Sequence, residues 1–497
     1  MMQDLKKLFF HPYTAILFIA FFALRLLSYF IAENLFIQNI LGLALVLTLI
    51  IVYIKKPSYA CQLVIAELFL GGSGHFIEVF GLSIRTFFLI TYISMYLGHI
   101  IFSKKKRQEL LIPHILYIFF GAFGLALVWA TVNGMLEHNE TKLIIQDIIP
   151  FAFFALLLPL HQLIKDKSNY PFLIRLVAVF IFGSALFSLI TFILFSTGST
   201  VLQGSYYHWF RDIVSGKLTD VGNGFWRIVT PEHLLLLPIT IILVSVIARN
   251  AVTWQSRSEK IILYLALLAS LFTLTINFSR GYFLALIVAL LPLLYKHSFK
   301  RWLSTSAITG AAILIIFCAT SFIASGAKTF GLELFGFRIK SFTSPHIEES
   351  TYTRTALLKP ILQKFESHPI TGSGFGSTIT FTNPISKTQI TTPQFDWGYF
   401  EIITEFGLIG AVVYFFLIAY LIYLTILYIQ TTTLHPDFLV GVLAGLVALL
   451  VSNLTAPALS HVFGVFYITM LLAIILHCDN MREKIKLGLA KLYRKFI

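Results

Sequence analysis

The chain has 497 residues, of which 57% are hydrophobic and only 12% are charged. A soluble globular protein carries about 25% charged residues, so this composition excludes the soluble class and indicates an all-α polytopic membrane protein. The formal net charge of +14 is not evidence for nucleic-acid binding, because the basic residues of a membrane protein also collect in the loops on one side of the bilayer.

The apolar residues form blocks of about 17 to 25 residues, the length of a helix that crosses a bilayer. This pattern predicts about 12–14 transmembrane helices. The predicted spans cover residues 13–32, 36–54, 59–72, 84–103, 111–131, 144–164, 172–195, 230–248, 260–277, 281–296, 303–324, 398–429, 437–455 and 459–477.

The third predicted span is short enough to be a broken or re-entrant segment. Three charged residues, Glu67, Glu78 and Arg85, flank the sequence "GGSGHF" beside this span. Because isolated charges are costly inside a membrane, we interpret them as an internal ion pair that holds a broken helix.

The basic residues between the spans alternate between the two sides of the membrane. Lys6 and Lys7, Lys55 and Lys56, the run from residue 104 to 107 and later basic groups all fall on one side. By the positive-inside rule that side is the cytoplasm, with both termini in it. Residues 479–497 space apolar residues at helical intervals among lysines and arginines, which predicts a basic amphipathic helix on the inner leaflet.

Two connections on the opposite side are longer than the others, one from residue 196 to 227 and one of about seventy residues before residue 397. We therefore divide the chain into a first transmembrane part (1–324), a large loop on the outer side (325–397), which the resemblance described below places in the periplasm, a last transmembrane part (398–478) and the basic tail. In the large loop, one helical face carries Ala356, Leu357, Ile361, Leu362 and Phe365. This pattern predicts an amphipathic helix on the membrane surface, followed by the glycine-rich turn "HPITGSGFGS"; a purely structural lid is the alternative.

Arg280 interrupts the apolar stretch "TLTINFSRGYFLALIVALL", where a guanidinium at bilayer depth would cost at least about 2.5 kcal/mol. The predicted topology places Arg280 at the outer end of a span and Arg227 just before another span on the same side. Each could reach toward lipid phosphates. A planar guanidinium also binds phosphate in a bidentate manner and stays charged, so we predict that Arg227 and Arg280 bind a lipid-linked diphosphate. We also predict a catalytic role for Arg280, because a preorganised cation stabilises the charge on the leaving group.

Asp396 lies at the mouth of the span that begins near residue 398, and Glu405 lies about two turns deeper. A carboxylate at such a position can accept the proton of a sugar hydroxyl. We predict Asp396 as the catalytic base, with the N-cap of the helix beginning near Trp397 as its alternative role. The cysteines form no CxxC or Cys/His cluster and the chain has no Walker loop or GxGxxG motif, so no metal or cofactor is predicted.

Four motifs follow one another along the chain: "AELFLGGSGHFIEVFGLSIRTFFLI", "SRG", "TR…HPITGSGFG" and "DWGYFEIITEFGLIG". In this order the chain resembles the O-antigen ligase and O-antigen polymerase superfamily over most of its length. The resemblance implies a GT-C-like membrane glycosyltransferase of the bacterial inner membrane. Such enzymes take glycan from undecaprenyl diphosphate at the periplasmic face during lipopolysaccharide biosynthesis, without a nucleotide sugar.

The resemblance also implies partners and further site residues. The donor is an undecaprenyl diphosphate-linked glycan, and the acceptor is a glycan or the lipid A core; membrane lipids surround the enzyme, nucleic acid plays no part, and a polymerase would work with a chain-length regulator. Arg227, Arg280 and Arg354 match family arginines, while Tyr399 and Glu405 match residues of the last motif. We expect these five residues to bind the diphosphate or the glycan.

The last motif departs from the ligase pattern at its start. Ligases usually have a His-Asn pair there, whereas this chain has Asp396 and Trp397. The departure slightly favours a polymerase, and the ligase activity is the alternative. A transporter or flippase of lipid-linked glycan is the alternative from another class; the two halves of the sequence show no repeat, and the long outer loop is unusual for a carrier.

Overall fold

The computed structural model describes residues 5–103, 114–248, 257–295, 299–343, 349–431 and 436–477. Within these residues the chain is mostly α-helical, and its strands form three two-stranded antiparallel hairpins. The structure therefore confirms the all-α polytopic class. The amphipathic tail predicted for residues 479–497 lies outside the described residues.

In the described residues, nine helices are long and apolar enough to cross a membrane. They cover Pro12–Ile31, Leu35–Lys55, Ile84–Phe102, Ile115–Leu136, Thr141–Lys165, Lys167–Ser196, Arg257–Asn277, Phe299–Ala324 and Gly398–Gln430. Shorter apolar helices cover Pro57–Leu70, His233–Ala248, Arg280–Leu294, Asp437–Ser452 and Val462–His477. Each predicted span coincides with one of these helices.

The chain divides into two compact units, and the first combines Met1–Tyr96, Ser168–Ser344 and Val440–Ser452. Its elements are α1 (Leu5–Phe9), α2 (Pro12–Ile31), α3 (Leu35–Lys55), α4 (Pro57–Leu70), β1 (Glu78–Val79), β2 (Leu82–Ser83), most of α5 (Ile84–Phe102), then α9 (Tyr170–Ser196), α10 (Ser205–Asp212), β3 (Lys217–Asp220), β4 (Trp226–Val229), α11 (His233–Ala248), α12 (Arg257–Asn277), α13 (Arg280–Ala289), α14 (Phe299–Ala324), α15 (Leu332–Thr343) and most of α18 (Pro436–Ser452).

The second unit combines Leu97–Lys167, Pro345–Leu439 and Asn453–Ile497. Its elements are α6 (His114–Leu136), α7 (Thr141–Ala152), α8 (Leu157–Lys165), α16 (Glu349–Ser367), β5 (Ile379–Thr382), β6 (Gln389–Thr392), α17 (Gly398–Thr431) and α19 (Val462–His477). Strands β5 and β6 pair with each other in register from Ile379 opposite Thr392 to Thr382 opposite Gln389.

The short third span is broken as predicted, because α4 ends at Leu70 and is followed by turns and the β1–β2 hairpin. Arg85 Nε donates to Glu67 Oε2 at 2.8 Å, and the Arg85 guanidinium also donates to the Gly72 carbonyl at 2.8 Å. The predicted ion pair is thus confirmed for Glu67 and Arg85. Glu78 instead contacts His75 Nδ1, at 2.7 Å.

The predicted amphipathic helix of the long loop is α16, and part of its apolar face packs within the protein, while Leu362 on that face is exposed. Leu357 and Ile361 are buried in a cluster with Ile379, Phe381 and Phe395 from the β5–β6 hairpin and the segment after it. A helix with this spacing of apolar residues can pack on a lipid surface or on a protein surface. In this structure the β5–β6 hairpin packs on the buried part of the apolar face, because the inward-facing side chains of the hairpin are also apolar.

Candidate functional site

In the first unit, Arg227 lies against the turn that leads to Arg280. Arg227 is in β4, and its Nε donates a hydrogen bond to the carbonyl of Asn277 at 2.8 Å. Asn277 is the last residue of α12 and Arg280 is the first residue of α13. The structure therefore brings the two predicted diphosphate-binding arginines to one four-residue segment, Asn277–Arg280, which we call the arginine turn.

The arginine turn is held by Phe278, which adopts a positive φ of 46°. A left-handed backbone at a bulky residue costs of order 1–3 kcal/mol and needs compensation from its surroundings. The compensation comes from packing, since the Phe278 ring is buried and stacks on Phe317 with centroids 4.9 Å apart. Ser279 follows with extended backbone and its carbonyl accepts the N–H groups of Tyr282 and Phe283, so α13 begins at Arg280.

The buried side chain of His233 contacts Asn277, the first residue of the arginine turn. Asn277 Nδ2 lies 2.9 Å from His233 Nδ1, and the backbone N–H of Thr230 points to the same nitrogen at 3.4 Å. Because a backbone N–H can only donate, Nδ1 must accept both hydrogen bonds. His233 is therefore neutral with its proton on Nε2, which faces Ser188 Oγ at 3.4 Å.

Next to this histidine, the first unit contains a buried ion pair that sequence reasoning missed. Arg25 donates to Glu232 Oε1 at 2.7 Å, and the two side chains are 3% and 1% exposed. The Arg25 guanidinium also donates to the Leu70 carbonyl at 3.0 Å and lies over the Phe21 ring at 3.5 Å. Arg25 and Glu232 each lie in an apolar run, "FFALRLLSYF" and "TPEHLLLLP". A charged residue in such a run is costly inside a membrane, and this is the sequence signal that indicates a buried ion pair.

In the second unit, Asp396 pairs with the predicted loop arginine. Arg354 Nε lies 3.7 Å from Asp396 Oδ2, and both side chains are about one-third exposed, at 32% and 34%. Trp397 Nε1 donates to the Arg354 carbonyl at 3.0 Å and fixes α16 beside the start of α17. The N-cap alternative for Asp396 is wrong, because its φ is 56° and the helix begins at Gly398, whereas an N-cap residue has extended backbone.

The glycine-rich turn after α16 enters a break in α17. Gly407 has φ 66° and ψ 178°, which interrupts the helix and leaves carbonyls of the preceding turn without their usual donors. The backbone N–H of Ser373 donates to the Thr404 carbonyl at 2.7 Å, and Leu408 N–H donates to the Pro369 carbonyl at 2.9 Å. The loop therefore takes over hydrogen bonds that a continuous helix would make within itself.

Side chains from α6 and α7 bind the other side of this loop. Asn133 Nδ2 donates to the Gly372 carbonyl at 2.5 Å, and Asn139 Nδ2 donates to the Phe375 carbonyl at 2.8 Å. The backbone N–H of Gly376 donates to Asp147 Oδ2 at 2.7 Å. The sequence did not indicate a role for these three polar side chains. They bind backbone atoms of the loop, and such contacts do not require particular residue types there.

Glu405 lies beneath this loop, and its side chain is 5% exposed. Its backbone carbonyl accepts the N–H of Gly374 at 3.1 Å. Glu401, one turn earlier, accepts a hydrogen bond from Ser460 Oγ at 2.9 Å. Tyr399 is half-buried with its ring 5.8 Å from that of Phe415.

A lysine of α16 lies on the same loop. Lys364 Nζ donates to the Thr378 carbonyl at 2.9 Å. Burial lowers the pKa of Lys364, while the charges of Glu137 and Glu405 oppose that shift. Among the described residues, no group of three or more His, Cys, Asp or Glu side chains could hold a metal ion.

A protein-family model described as O-antigen ligase matches residues 265–415. The matched range includes the arginine turn, Arg354, the glycine-rich loop and Asp396. The match places this segment in the O-antigen ligase and polymerase superfamily. It confirms the resemblance drawn from the motifs and supports an O-antigen ligase-like or polymerase-like membrane glycosyltransferase. Arg227 lies outside the matched range, and no curated protein or solved structure matches the chain.

Proposed function

We propose that the protein transfers glycan from an undecaprenyl diphosphate-linked oligosaccharide at the periplasmic face of the bacterial inner membrane. The observation that carries this proposal is the contact of Arg227 with the turn that begins at Asn277 and ends at Arg280. One arginine that contacts this short segment and another within it suit an anionic ligand with more than one phosphate oxygen. The superfamily match supplies the class of reaction.

The arginines would act on the leaving group. When the bond between the anomeric carbon and the diphosphate oxygen breaks, negative charge grows on the diphosphate, and preorganised cations stabilise it most where water is scarce. The hydrogen bond from Arg227 Nε to Asn277 fixes the plane of that guanidinium. Arg280 stands at the N-terminus of α13, whose N–H groups add to the attraction for an anion.

Asp396 would act on the acceptor. Its carboxylate accepts the proton of a sugar hydroxyl as that oxygen bonds to the anomeric carbon. The ion pair with Arg354 holds the carboxylate in place. Tyr399, one residue into α17, would contact the glycan, whereas the buried Glu405 would hold the glycine-rich loop against α17 through its backbone carbonyl, which accepts the N–H of Gly374.

Two acceptors correspond to two activities within the superfamily. A polymerase joins repeat units that are still attached to the lipid carrier, and the carboxylate of Asp396 in place of the ligase histidine favours this activity. A ligase passes finished polymer to the lipid A core, and the description of the matching family model favours that activity. Of these two activities, we propose that the protein has the polymerase activity, with the ligase activity as the alternative.

The proposal places both termini in the cytoplasm and the loop of residues 325–397 in the periplasm. Lys387 lies in the turn between β5 and β6, where an inserted reporter leaves both strands intact. A reporter inserted there should be active outside the cytoplasm, and one inserted near residue 106 should be active inside it. The reverse pattern would put the arginines on the wrong side for a periplasmic donor.

Transfer by the purified full-length protein tests the activity itself. Incubation with a lipid-linked oligosaccharide, alone and together with lipid A core, should yield products of larger glycan size, and no transfer in either reaction would exclude the enzyme. Arg280→Ala and Arg280→Lys should both abolish transfer, because lysine cannot reproduce the bidentate fork. Arg211→Lys is the matched control, since Arg211 is an exposed arginine of the same unit that donates to Tyr207; it should transfer normally.

A further inference from the structure

His233 closes the turn between β4 and α11. Its backbone N–H donates to the Thr230 carbonyl at 3.1 Å, and the Thr230 N–H points back to His233 Nδ1 at 3.4 Å. This reciprocal pair of hydrogen bonds resembles a capping box, in which a side chain of the first helical turn accepts the N–H of the capping residue. Because β4 ends at Val229, one residue before Thr230, His233 holds the end of the strand that carries Arg227.

The same histidine nitrogen connects this turn to the arginine turn. Asn277 Nδ2 donates to His233 Nδ1 at 2.9 Å, and the Asn277 carbonyl accepts the hydrogen bond of Arg227 Nε at 2.8 Å. Thr230 is three residues after Arg227 in the chain, so these contacts close a ring. The ring joins these four residues, and its last link is β4 itself.

Arg227 is the member of this ring with exposed surface. Thr230, His233 and Asn277 are buried, whereas Arg227 is half-buried. A donor bound at the arginine turn would therefore meet the Arg227 guanidinium and not the buried imidazole. His233 would act on such a ligand only by way of the arginine.

The chemistry of the imidazole suits this place. Nδ1 accepts two N–H donors, one from the Thr230 backbone and one from the Asn277 side chain, while the proton lies on Nε2, 3.4 Å from Ser188 Oγ. A side chain without an acceptor at the position of Nδ1 would leave both buried donors unpaired, which is unfavourable. The turn and the end of α12 would then shift to find other partners, and the Asn277 carbonyl would move with them.

We propose that His233 is a positioning residue of the donor site, which sets the plane of the Arg227 guanidinium through Asn277. This inference rests on the proposed function, since it concerns an arginine assigned to the donor diphosphate. A bidentate pair of guanidinium and phosphate requires the N–H groups and the oxygens to be aligned. Displacement of a binding group by about 1 Å lowers an enzymatic rate about 10²-fold. The imidazole therefore contributes to transfer without touching the donor.

The test uses the full chain in nanodiscs of phosphatidylcholine, titrated with farnesyl diphosphate as a probe of the donor diphosphate. Arg227→Gln removes the guanidinium and should weaken binding about tenfold or more, because charge-assisted hydrogen bonds are lost. His233→Phe keeps an aromatic ring but lacks the acceptor, and should weaken binding about threefold to tenfold, the range for one misaligned hydrogen bond. His233→Asn places an amide oxygen where Nδ1 stands, so it should restore most of the affinity.

A double-mutant cycle shows whether the histidine acts through the arginine. In the Arg227→Gln background, His233→Phe should weaken binding no further, because the guanidinium that it would position is absent. Independent weakening by His233→Phe in that background would overturn the proposal. Thr240→Val is the control: Thr240 is a buried residue of the same helix whose hydroxyl donates to the Leu236 carbonyl within α11, and the variant should bind as wild type does.

Asn277→Ala keeps the proposal testable if His233→Phe does not fold. It removes the amide that donates to the imidazole but retains the backbone carbonyl that binds Arg227 Nε. The variant should weaken binding as His233→Phe does, with the melting temperature of each protein measured alongside. Wild-type affinity of Asn277→Ala would overturn the role of the hydrogen-bonded ring.

The outcomes separate this inference from the proposed function. If wild type does not bind farnesyl diphosphate, or Arg227→Gln binds it as wild type does, the proposed donor site at Arg227 is wrong and this inference falls with it. If Arg227→Gln weakens binding while His233→Phe does not, the proposed function stands and the role of His233 is overturned. Equal weakening by His233→Phe and His233→Asn would overturn it as well, because the acceptor would then make no difference.

Discussion

The backbone N–H of Gly374 donates a hydrogen bond to the carbonyl of Glu405 at 3.1 Å. Glu405 is two residues before the break in α17, so the glycine-rich loop supplies a donor where the helix has lost its own. Gly374 has φ 73°, and a side chain there would overlap the backbone of Gly134 in α6. The contact is therefore available only to glycine.

Gly374→Ala should destabilise the protein severely. The substitution combines a left-handed backbone with a clash against backbone atoms that cannot rotate away, and we expect a loss of about 3 kcal/mol or more. Thermal unfolding in detergent, followed by size-exclusion chromatography of the heated sample, measures the loss.

Gly81→Ala is the matched control for that substitution. Gly81 has φ 80°, but no atom lies within 4 Å of the position its Cβ would take. Only the backbone strain remains, so the cost should be about 1–2 kcal/mol. Equal melting temperatures for the two variants would show that the glycine-rich loop does not approach the backbone of α6 at Gly134 as the structure has it.

The spans and Arg280 could be predicted from the sequence, whereas the packing of the glycine-rich loop could not. Apolar length predicted the spans, and the cost of a charge inside an apolar run directed attention to Arg280, because both signals are local. The loop contacts α17 through backbone atoms. The only sequence requirement for such a contact is a residue without a Cβ, namely glycine. Arg25 and Glu232 are 207 residues apart in the chain, so only the fold could pair them.

The pair of Arg25 and Glu232 leads to a second stability prediction. Either Arg25→Met or Glu232→Gln leaves one buried group without its partner and should cost about 3–5 kcal/mol. The double variant Arg25→Met with Glu232→Met removes both charges and should recover most of that loss. Melting temperatures of the three variants in detergent provide the comparison.

The exposed pair of His75 and Glu78 is the control for this experiment. Its side chains are 43% and 30% exposed, so solvent screens the interaction and Glu78→Gln should cost less than about 1 kcal/mol. A double variant at Arg25 and Glu232 that is no more stable than the single variants would mean that the charges have a structural role beyond neutralising each other.

Asp396→Asn tests the proposed catalytic base with little disturbance of the fold. Asparagine tolerates the positive φ of this position and keeps the size of the side chain. Loss of the partly exposed contact with Arg354 should cost less than about 1 kcal/mol, whereas loss of the base should slow transfer about 10²–10⁴-fold. Single-turnover transfer from a lipid-linked oligosaccharide, at matched protein abundance, gives the rate.

In the same assay, Asp396→Ala distinguishes the effect of backbone strain on stability from the effect of losing the carboxylate on transfer. Alanine is strained at this φ, so its melting temperature should fall below that of the asparagine variant, while both should be equally inactive. Wild-type transfer by Asp396→Asn would remove this residue from the chemistry and leave it as a contact of Arg354.

A strain that lacks the gene distinguishes polymerase from ligase. Loss of a polymerase should leave lipid A core capped with a single repeat unit, because ligation still proceeds. Loss of a ligase should leave bare core, with long polymer accumulating on the lipid carrier. Electrophoresis of the lipopolysaccharide, with extraction of carrier-linked glycan from the same cells, separates these patterns. Since Asp396 stands where ligases have histidine, we expect the capped core. Asp396→His should then fail to restore the ladder, because the proposed reaction needs a carboxylate paired with Arg354; bare core with carrier-linked chains would instead identify the ligase.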